Sequence, residues 1–147
     1  QLPLPYDLWL LATGTGLAPF ISMLQDFDTW SKYKKINLVY SVRTASELAY
    51  ATRIEEIAAT FGEGHSGFKF VPIITRDPHA ALHDRLPVLI ENGELEKAVG
   101  LALNTETSHI MLCGNPQMVE DTKEALKARG LMMNRRGEGN IAVENYW

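Results

Sequence analysis

The chain has little of what marks secreted, membrane or nucleic-acid-binding proteins. Its single cysteine, Cys113, excludes an internal disulfide and fits a reducing cytoplasm, where we expect the protein. The formal net charge is −4, so we expect no nucleic-acid or membrane partner. No apolar run approaches the length that crosses a bilayer, and no internal repeat is present. What remains is a globular domain, for which 147 residues with 46% hydrophobic content suffice.

Apolar, β-branched runs alternate with helical patterns along the chain. Strands are predicted at 8–12, 36–42, 68–74, 110–113 and 141–146. Helices are predicted at 19–27, 47–61, 86–92, 94–99 and 116–129. An extended linker is predicted at 2–5, and turn-rich or loop segments at 28–35 and 77–85. This alternation predicts an α/β fold of three layers, doubly wound, with a mostly parallel five-stranded sheet and helices on both faces.

A glycine-rich turn after the first predicted strand organises the chain. It reads Thr13-Gly14-Thr15-Gly16, and an apolar helix with Pro19 in its first turn follows. A strand, turn and helix in this order present backbone N–H groups and a helix N-terminus to an anion. Glycine at positions 14 and 16 permits positive φ and close approach of a ligand. Pro19 stands where the usual dinucleotide fingerprint has its third glycine, so that pattern is not matched.

Polar residues follow the ends of the predicted strands, where parallel sheets bind their ligands. These ends carry Thr13–Gly16, Arg43, Arg76, Cys113–Asn115 and Trp147. An NAD site has an acidic residue after the second strand, which accepts a hydrogen bond from the ribose 2′-hydroxyl, whereas this chain has Arg43 at that place. The guanidinium groups of Arg43 and Arg76 suit a 2′-phosphate, which predicts NADP(H). Arg85 is a weaker third candidate because the neighbouring Asp84 can partly satisfy it.

Other chemically active residues allow more than one interpretation. Cys113 is either a small core residue or a soft side chain lining a nicotinamide pocket. His79 and His83 lie in a predicted loop without the acidic residue of a zinc-protease motif, so no metal site is expected. A set of basic residues provides either solubility or a dock for an acidic protein partner: Lys32, Lys34, Lys35, Arg135 and Arg136. The aromatic ring of Trp147 after the last strand suggests stacking on a planar cofactor.

Five runs of residues together carry a family resemblance. They are Gly14-Thr15-Gly16-Leu17-Ala18-Pro19-Phe20, Val42-Arg43 with Glu47-Leu48-Ala49-Tyr50, Thr75-Arg76, Met111-Leu112-Cys113-Gly114-Asn115-Pro116-Gln117-Met118 and Glu144-Asn145-Tyr146-Trp147. Over essentially its whole length the chain resembles the NADP-binding domain of the bacterial ferredoxin/flavodoxin–NADP(+) reductase family. Two departures from that family's pattern stand out, since Tyr40 replaces a common histidine and Asp84 replaces a common glycine.

The resemblance implies a role for each matching position. Cofactor binding falls to Thr13, Gly14, Thr15, Gly16, Val42, Arg43, Thr75, Arg76, Arg85, Asn115, Pro116, Gln117, Asp121, Tyr146 and Trp147. Within this set, Thr15 would lie where phosphates and flavin meet, and the arginines would bind the 2′-phosphate. Catalytic roles fall to three residues: Cys113 and Glu144 would flank the nicotinamide, and Trp147 would cover the flavin ring.

The family's activity is oxidoreduction, with a hydride passing between NADP(H) and FAD and electrons passing to or from ferredoxin or flavodoxin. The resemblance implies that residues 1–147 form the NADP(H)-binding domain of a monomer. We expect that the FAD-binding β-barrel, which precedes this domain in the family, is missing, and that the fragment alone is inactive. Two alternatives stay open, namely a non-catalytic nucleotide-binding or electron-transfer subunit of the same fold and an NADH-dependent flavin reductase.

Overall fold

The computed structural model describes residues 4–49, 51–65, 67–134 and 139–143. Its strands are β1 (Leu4–Thr13), β2 (Tyr33–Val42), β3 (Phe68–Ile74), β4 (Ser108–Cys113) and β5 (Ile141–Val143). Its helices are α1 (Leu17–Leu24), α2 (Phe27–Lys32), α3 (Ala51–Phe61), α4 (Leu86–Glu91), α5 (Glu94–Val99) and α6 (Pro116–Ala128). Two 3₁₀ turns, Gly14–Gly16 and Ala45–Leu48, follow β1 and β2.

The five strands form one parallel sheet in the order β3-β2-β1-β4-β5, which confirms the predicted α/β fold. The central strand β1 is buried on both faces, which explains its nearly unbroken apolar run. Leu8, Leu10 and Ala12 pack in the core formed with α1, α2 and α3. Trp9 and Leu11 pack in the core formed with α4, α5 and α6. The sheet therefore lies between two helical layers, as expected.

Several boundaries differ from the sequence prediction around β2. Residues 4 and 5 belong to β1 and not to a linker, because Leu4 pairs with Tyr33 at the start of β2. The segment 28–35, predicted to be turn-rich, contains most of α2 and the first residues of β2. A helix cap and the burial of one aromatic residue explain this: the Asp26 side chain caps α2 at 2.9 Å, and buried Trp30 donates its Nε1–H to the carbonyl of Leu24 at 2.8 Å.

The other predicted elements are close to the observed ones. The two short helices after residue 85, the loop before them and the bounds of β3 are confirmed. The helix predicted over 47–61 is split, because a capping box of Thr44 and Glu47 begins a separate 3₁₀ turn before α3. The strand predicted at 110–113 begins earlier, at Ser108, since it pairs with β1 from Asp7 onward. Residues 144–146 of the last predicted strand lie outside the described residues.

The chain builds the sheet outward from β1 in two directions. It first adds β2 and β3 on one side of β1 and then crosses over to add β4 and β5 on the other side. Such a reversal leaves a crevice beyond the carboxyl ends of the central strands. The 3₁₀ turn at Gly14–Gly16 and the N-terminus of α6 both lie at this edge, after β1 and β4 respectively. In the part of the chain described here, no helix is long and apolar enough to cross a membrane.

Candidate nucleotide-binding site

A cavity of about 720 Å³ lies at the carboxyl edge of the sheet, in the size range of ligand pockets. Its lining comes from the ends of β1, β2, β3 and β4. The described residues that line it are Thr13, Gly14, Ser41, Val42, Arg43, Glu47, Thr75, Arg76, Arg85, Gly114, Asn115, Pro116 and Met118. Nine of the predicted cofactor-binding positions therefore come together in one cavity, although they are spread from the first strand to the sixth helix.

The glycine-rich turn after β1 contributes Thr13 and Gly14 to the cavity lining. Gly14 has φ of +51° with open space where a Cβ would stand, as predicted for close approach of a ligand. The hydroxyl of Tyr40 donates to the carbonyl of Gly14 at 2.9 Å and fixes the turn. Gly16 does not use the positive φ that glycine permits, since its φ is −74°. Glycine is needed there because a Cβ would run into the carbonyl of Cys113.

The turn after β1 is hydrogen-bonded to the turn after β4. The backbone N–H of Asn115 donates to Thr13 Oγ1 at 3.1 Å. Gly114 has φ of +142°, and a Cβ at this position would collide with the Thr13 side chain. A larger residue would therefore force apart the two strand ends between which the crevice opens. For Thr15 the structure describes only the backbone, which belongs to the 3₁₀ turn.

The backbones of Arg43 and Arg76 are hydrogen-bonded to each other beyond the ends of β2 and β3. The N–H of Thr75 donates to the carbonyl of Val42 at 2.9 Å, and the N–H of Arg76 donates to the carbonyl of Arg43 at 3.0 Å. Both arginine side chains are exposed at the cavity. Parallel pairing thus continues past the sheet and brings the two guanidinium-bearing residues side by side, as predicted.

Glu47 is a cavity residue that the sequence analysis did not assign. Its Oε2 accepts from the backbone N–H groups of Arg43 and Thr44, both at 2.9 Å, and its Oε1 lies 3.7 Å from Arg43 Nη2. The hydrogen bond from the Thr44 backbone is the largest influence and lowers the pKa of Glu47; desolvation opposes it, and the backbone donor and charge of Arg43 lower the pKa further. The Thr44-x-x-Glu47 spacing is a capping-box signal that would have revealed this side chain.

Asn115 caps α6, and Pro116 stands in the first helical position. Its side-chain oxygen accepts from the N–H groups of Gln117 at 3.0 Å and Met118 at 3.2 Å. These two bonds, and the bond from the N–H of Val119 to the Asn115 carbonyl at 2.9 Å, fix the first turn of α6 beside the cavity that Asn115, Pro116 and Met118 line.

Gln117 and Asp121 lie on α6 beside the cavity and outside its lining. Gln117 Nε2 donates to Asp121 Oδ1 at 2.9 Å, and Arg85 Nη2 lies 3.8 Å from Asp121 Oδ2. The carboxylate paired with Arg85 is thus that of Asp121, whereas sequence proximity had suggested Asp84. Arg85 still borders the cavity while it is paired with Asp121.

Cys113 lies beneath the cavity, with 1% of its surface exposed, in the core shared with α1 and α3. This agrees with its interpretation as a small core residue, and its role beside a nicotinamide stays a prediction. Glu144, Tyr146 and Trp147 lie outside the described residues, so their assigned roles also stay predictions. Within the described ranges, no group of three histidine, cysteine or acidic residues could hold a metal ion.

The basic residues of the first half are remote from the cavity. Lys32 ends α2, while Lys34 and Lys35 lie at the amino end of β2, which is the edge of the sheet opposite the cavity. Arg135 and Arg136 lie outside the described residues.

The cavity also contains residues that the sequence did not single out. For Ser41, a polar side chain at the end of an apolar strand was a usable signal, whereas Met118 belongs to a run that carries the family resemblance but received no role.

The fold and the site together define the class of protein to which the chain belongs. The site combines a parallel sheet with a switch point beside β1, a glycine turn, a capped helix and three guanidinium groups around one cavity. Guanidinium forks bind phosphate, and the dipole of a helix favours an anion at its N-terminus, so the residues fit a phosphorylated nucleotide. The class is an α/β nucleotide-binding domain that binds at the carboxyl edge of its sheet.

The chain belongs to the oxidoreductase NAD-binding domain family, whose model matches residues 10–124. It is 43% identical to the flavodoxin/ferredoxin–NADP reductase of Shigella flexneri and 39% identical to that of Buchnera aphidicola from Schizaphis graminum, in both cases over its whole length. It spans 59% and 57% of those relatives, respectively. The family resemblance read from the sequence is confirmed by these relatives.

A solved structure supports the same assignment of fold. The ferredoxin NADP+ reductase of Neisseria gonorrhoeae, determined with bound FAD and NADP, is similar to this chain with a TM-score of 0.84 and 35% sequence identity. The similarity covers 96% of this chain and 56% of that one. The chain therefore corresponds in extent to a little over half of these reductases.

Proposed function

We propose that the chain is the NADP(H)-binding domain of a ferredoxin/flavodoxin–NADP(+) reductase. The observation that carries the proposal is the pairing of Arg43 with Arg76 at the ends of β2 and β3, where an NAD site would hold an acidic residue. Two guanidinium forks on neighbouring strands match the geometry and charge of a 2′-phosphate. The names of the relatives, all of which are longer than this chain, support the same function.

Different residues of the site would bind different parts of the proposed ligand. Arg43 and Arg76 would hold the 2′-phosphate, with Arg85 at its edge, while Gly14 and the first turn of α6 would face the diphosphate. Val42 and Thr75 fix the backbone beneath the arginines, and Thr13 joins the two central strand ends. FAD, when bound, would exchange a hydride with the nicotinamide and single electrons with a protein partner. This domain's contribution would be binding and orientation of the nicotinamide.

The finer assignments belong to the same proposal. FAD would be held mainly by a β-barrel domain outside these residues, with Thr15, Tyr146 and Trp147 facing it from this domain. Cys113 and Glu144 would flank the nicotinamide. The partners would be ferredoxin or flavodoxin, the protein would act as a monomer, and its single cysteine agrees with a cytoplasmic location.

Calorimetric titration of the chain with 2′-phospho-AMP and with AMP tests the nucleotide assignment. These ligands differ only in the 2′-phosphate, and neither requires the flavin. We expect binding of 2′-phospho-AMP to be at least about tenfold tighter, since each charge-assisted bond contributes about 1.5–3 kcal/mol. Equal affinities would contradict the proposal and favour an NADH-dependent reductase.

A further inference from the structure

Glu47 places a carboxylate in a cavity that otherwise presents guanidinium groups. It is the one acidic residue among the described residues that line the cavity. A negative charge beside a phosphate site repels the ligand, so its effect on binding depends on what else the side chain does. Its location on the 3₁₀ turn immediately after β2 also puts it four residues from Arg43, within reach of both the backbone and the guanidinium of that residue.

The two carboxylate oxygens of Glu47 have different partners. Oε2 accepts from the N–H groups of Arg43 and Thr44, each at 2.9 Å, and lies 3.4 Å from Thr44 Oγ1. These backbone donors stand just beyond the last residue of β2. Oε1 lies 3.7 Å from Arg43 Nη2. One side chain therefore fixes the backbone on which Arg43 stands and also attracts its guanidinium.

The ion pair is the weaker of the two interactions. The Arg43 and Glu47 side chains are 67% and 34% exposed, and exposed pairs of this kind are easily exchanged. A phosphate close to its dianionic form carries more charge than a carboxylate and offers more acceptor oxygens. It can thus displace Glu47 from the guanidinium while Oε2 keeps its two backbone bonds.

We propose that Glu47 is a positioning residue with two opposing effects on the 2′-phosphate: its backbone bonds orient Arg43, and its charge limits affinity by competing for the Arg43 guanidinium. This inference rests on the proposed function. It separates two properties of one side chain, hydrogen-bond acceptance and charge, and a glutamine retains the first without the second.

Glu47→Ala and Glu47→Gln therefore test the inference with opposite expectations. By calorimetry with 2′-phospho-AMP, Glu47→Ala should weaken binding about threefold to tenfold, because Arg43 and Thr44 lose their acceptor. Glu47→Gln should tighten binding about twofold to fivefold, because the competing charge is gone. AMP affinity should change little in either variant. Glu56→Gln removes the same charge from an exposed pair with Arg53 on α3 and is the matched control.

Amide hydrogen exchange gives a readout that needs no ligand. Exchange at Arg43 and Thr44 should accelerate in Glu47→Ala and stay near wild type in Glu47→Gln. If both variants weaken 2′-phospho-AMP binding equally, or neither changes it while the wild type still prefers this ligand over AMP, the role of Glu47 is overturned. If the wild type itself does not distinguish the two ligands, the proposed function fails instead.

Discussion

The backbone N–H of Arg76 donates a hydrogen bond to the carbonyl of Arg43 at 3.0 Å, although the two residues lie 33 positions apart in the chain. This bond extends the pairing of β2 and β3 beyond the sheet. It fixes the spacing of the two Cα atoms from which the guanidinium groups reach into the cavity. Two arginines held in this way can bind one phosphate without first ordering a loop.

Replacement of either arginine should therefore weaken binding of the phosphorylated ligand selectively. We expect Arg43→Ala and Arg76→Ala each to weaken 2′-phospho-AMP binding roughly tenfold or more, from the loss of about 1.5–3 kcal/mol. AMP binding should be nearly unaffected. Calorimetry measures both affinities. Arg53→Ala, which removes an exposed arginine paired with Glu56 on α3, is the control. Unchanged 2′-phospho-AMP affinity in both cavity variants would exclude a shared phosphate site.

Gly114 should tolerate no side chain. Gly114→Ala adds a Cβ at φ of +142° and against Thr13, whose hydroxyl also accepts from Asn115. We expect a loss of roughly 3 kcal/mol or more in the free energy of unfolding, from backbone strain and overpacking together. Gly93→Ala is the control, because Gly93 has φ of +78° but open space around it, and should lose only about 1–2 kcal/mol.

Urea denaturation measures both glycine variants. Equal losses would mean that backbone conformation alone matters at Gly114 and that the contact with Thr13 is relaxed without cost. A variant of Gly114 that folds with reduced stability should also bind 2′-phospho-AMP more weakly, since the ends of β1 and β4 would move apart.

The sheet and the arginines could be predicted from sequence because their signals are local. The apolar run at 8–12 and the Asn115-Pro116 start of α6 each specify an element without knowledge of the rest of the chain. Arg43 was identifiable because a parallel α/β sheet places its ligand at the strand ends, and the residue there has the opposite charge from that of an NAD site.

Features that depend on distant contacts could not be predicted. The segment around Trp30 has a polar, turn-like composition, yet it forms a helix because the indole is buried against the rings of His65 and Phe68. Arg85 lies next to Asp84 in sequence, but its partner Asp121 comes from α6. Glycine at position 16 is required by the carbonyl of Cys113, a neighbour that only the assembled sheet provides.

Asp7 should make stability depend on pH. Burial raises the pKa of this carboxyl above its ordinary value of 3.8, although Lys35 and Lys34 partly oppose the effect. Between 3.8 and the raised pKa the folded protein binds more protons than the unfolded chain, so the free energy of unfolding falls as pH rises through that window. Asp7→Asn removes the charge and should be more stable than wild type at neutral pH, by about 1 kcal/mol or less.

The measurement for Asp7 is urea denaturation of wild type and variant from about pH 3 to about pH 7. The advantage of the variant should grow as pH rises. Glu55→Gln, which makes the same change of charge at an exposed position on α3, is the control. An advantage that is constant over this pH range would show that packing of the amide, and not ionisation of Asp7, accounts for it.

Arg129 should be the main polar link between the helices on the α6 face of the sheet. Its Nη1 donates to the carbonyl of Ile90 at 2.8 Å and lies 2.6 Å from Glu96 Oε1, while Glu96 Oε2 accepts from the N–H of Leu103 at 2.8 Å. The Glu96 side chain is only 14% exposed, so removing its partner leaves a poorly solvated carboxylate. Arg129→Ala should therefore cost about 1.5–3 kcal/mol in the free energy of unfolding.

Lys127→Ala provides the comparison for Arg129, because Lys127 pairs with Glu124 at 3.6 Å on the exposed side of the same helix. That change should cost less than about 0.5 kcal/mol. The double variant Arg129→Ala/Glu96→Gln removes the unpaired carboxylate charge and keeps an acceptor for the N–H of Leu103. It should therefore recover part of the lost free energy of unfolding. Urea denaturation of the three variants measures these differences. If Arg129→Ala and Lys127→Ala lose the same small amount, or if the second change recovers nothing, the Arg129–Glu96 pair does not hold α4, α5 and α6 together.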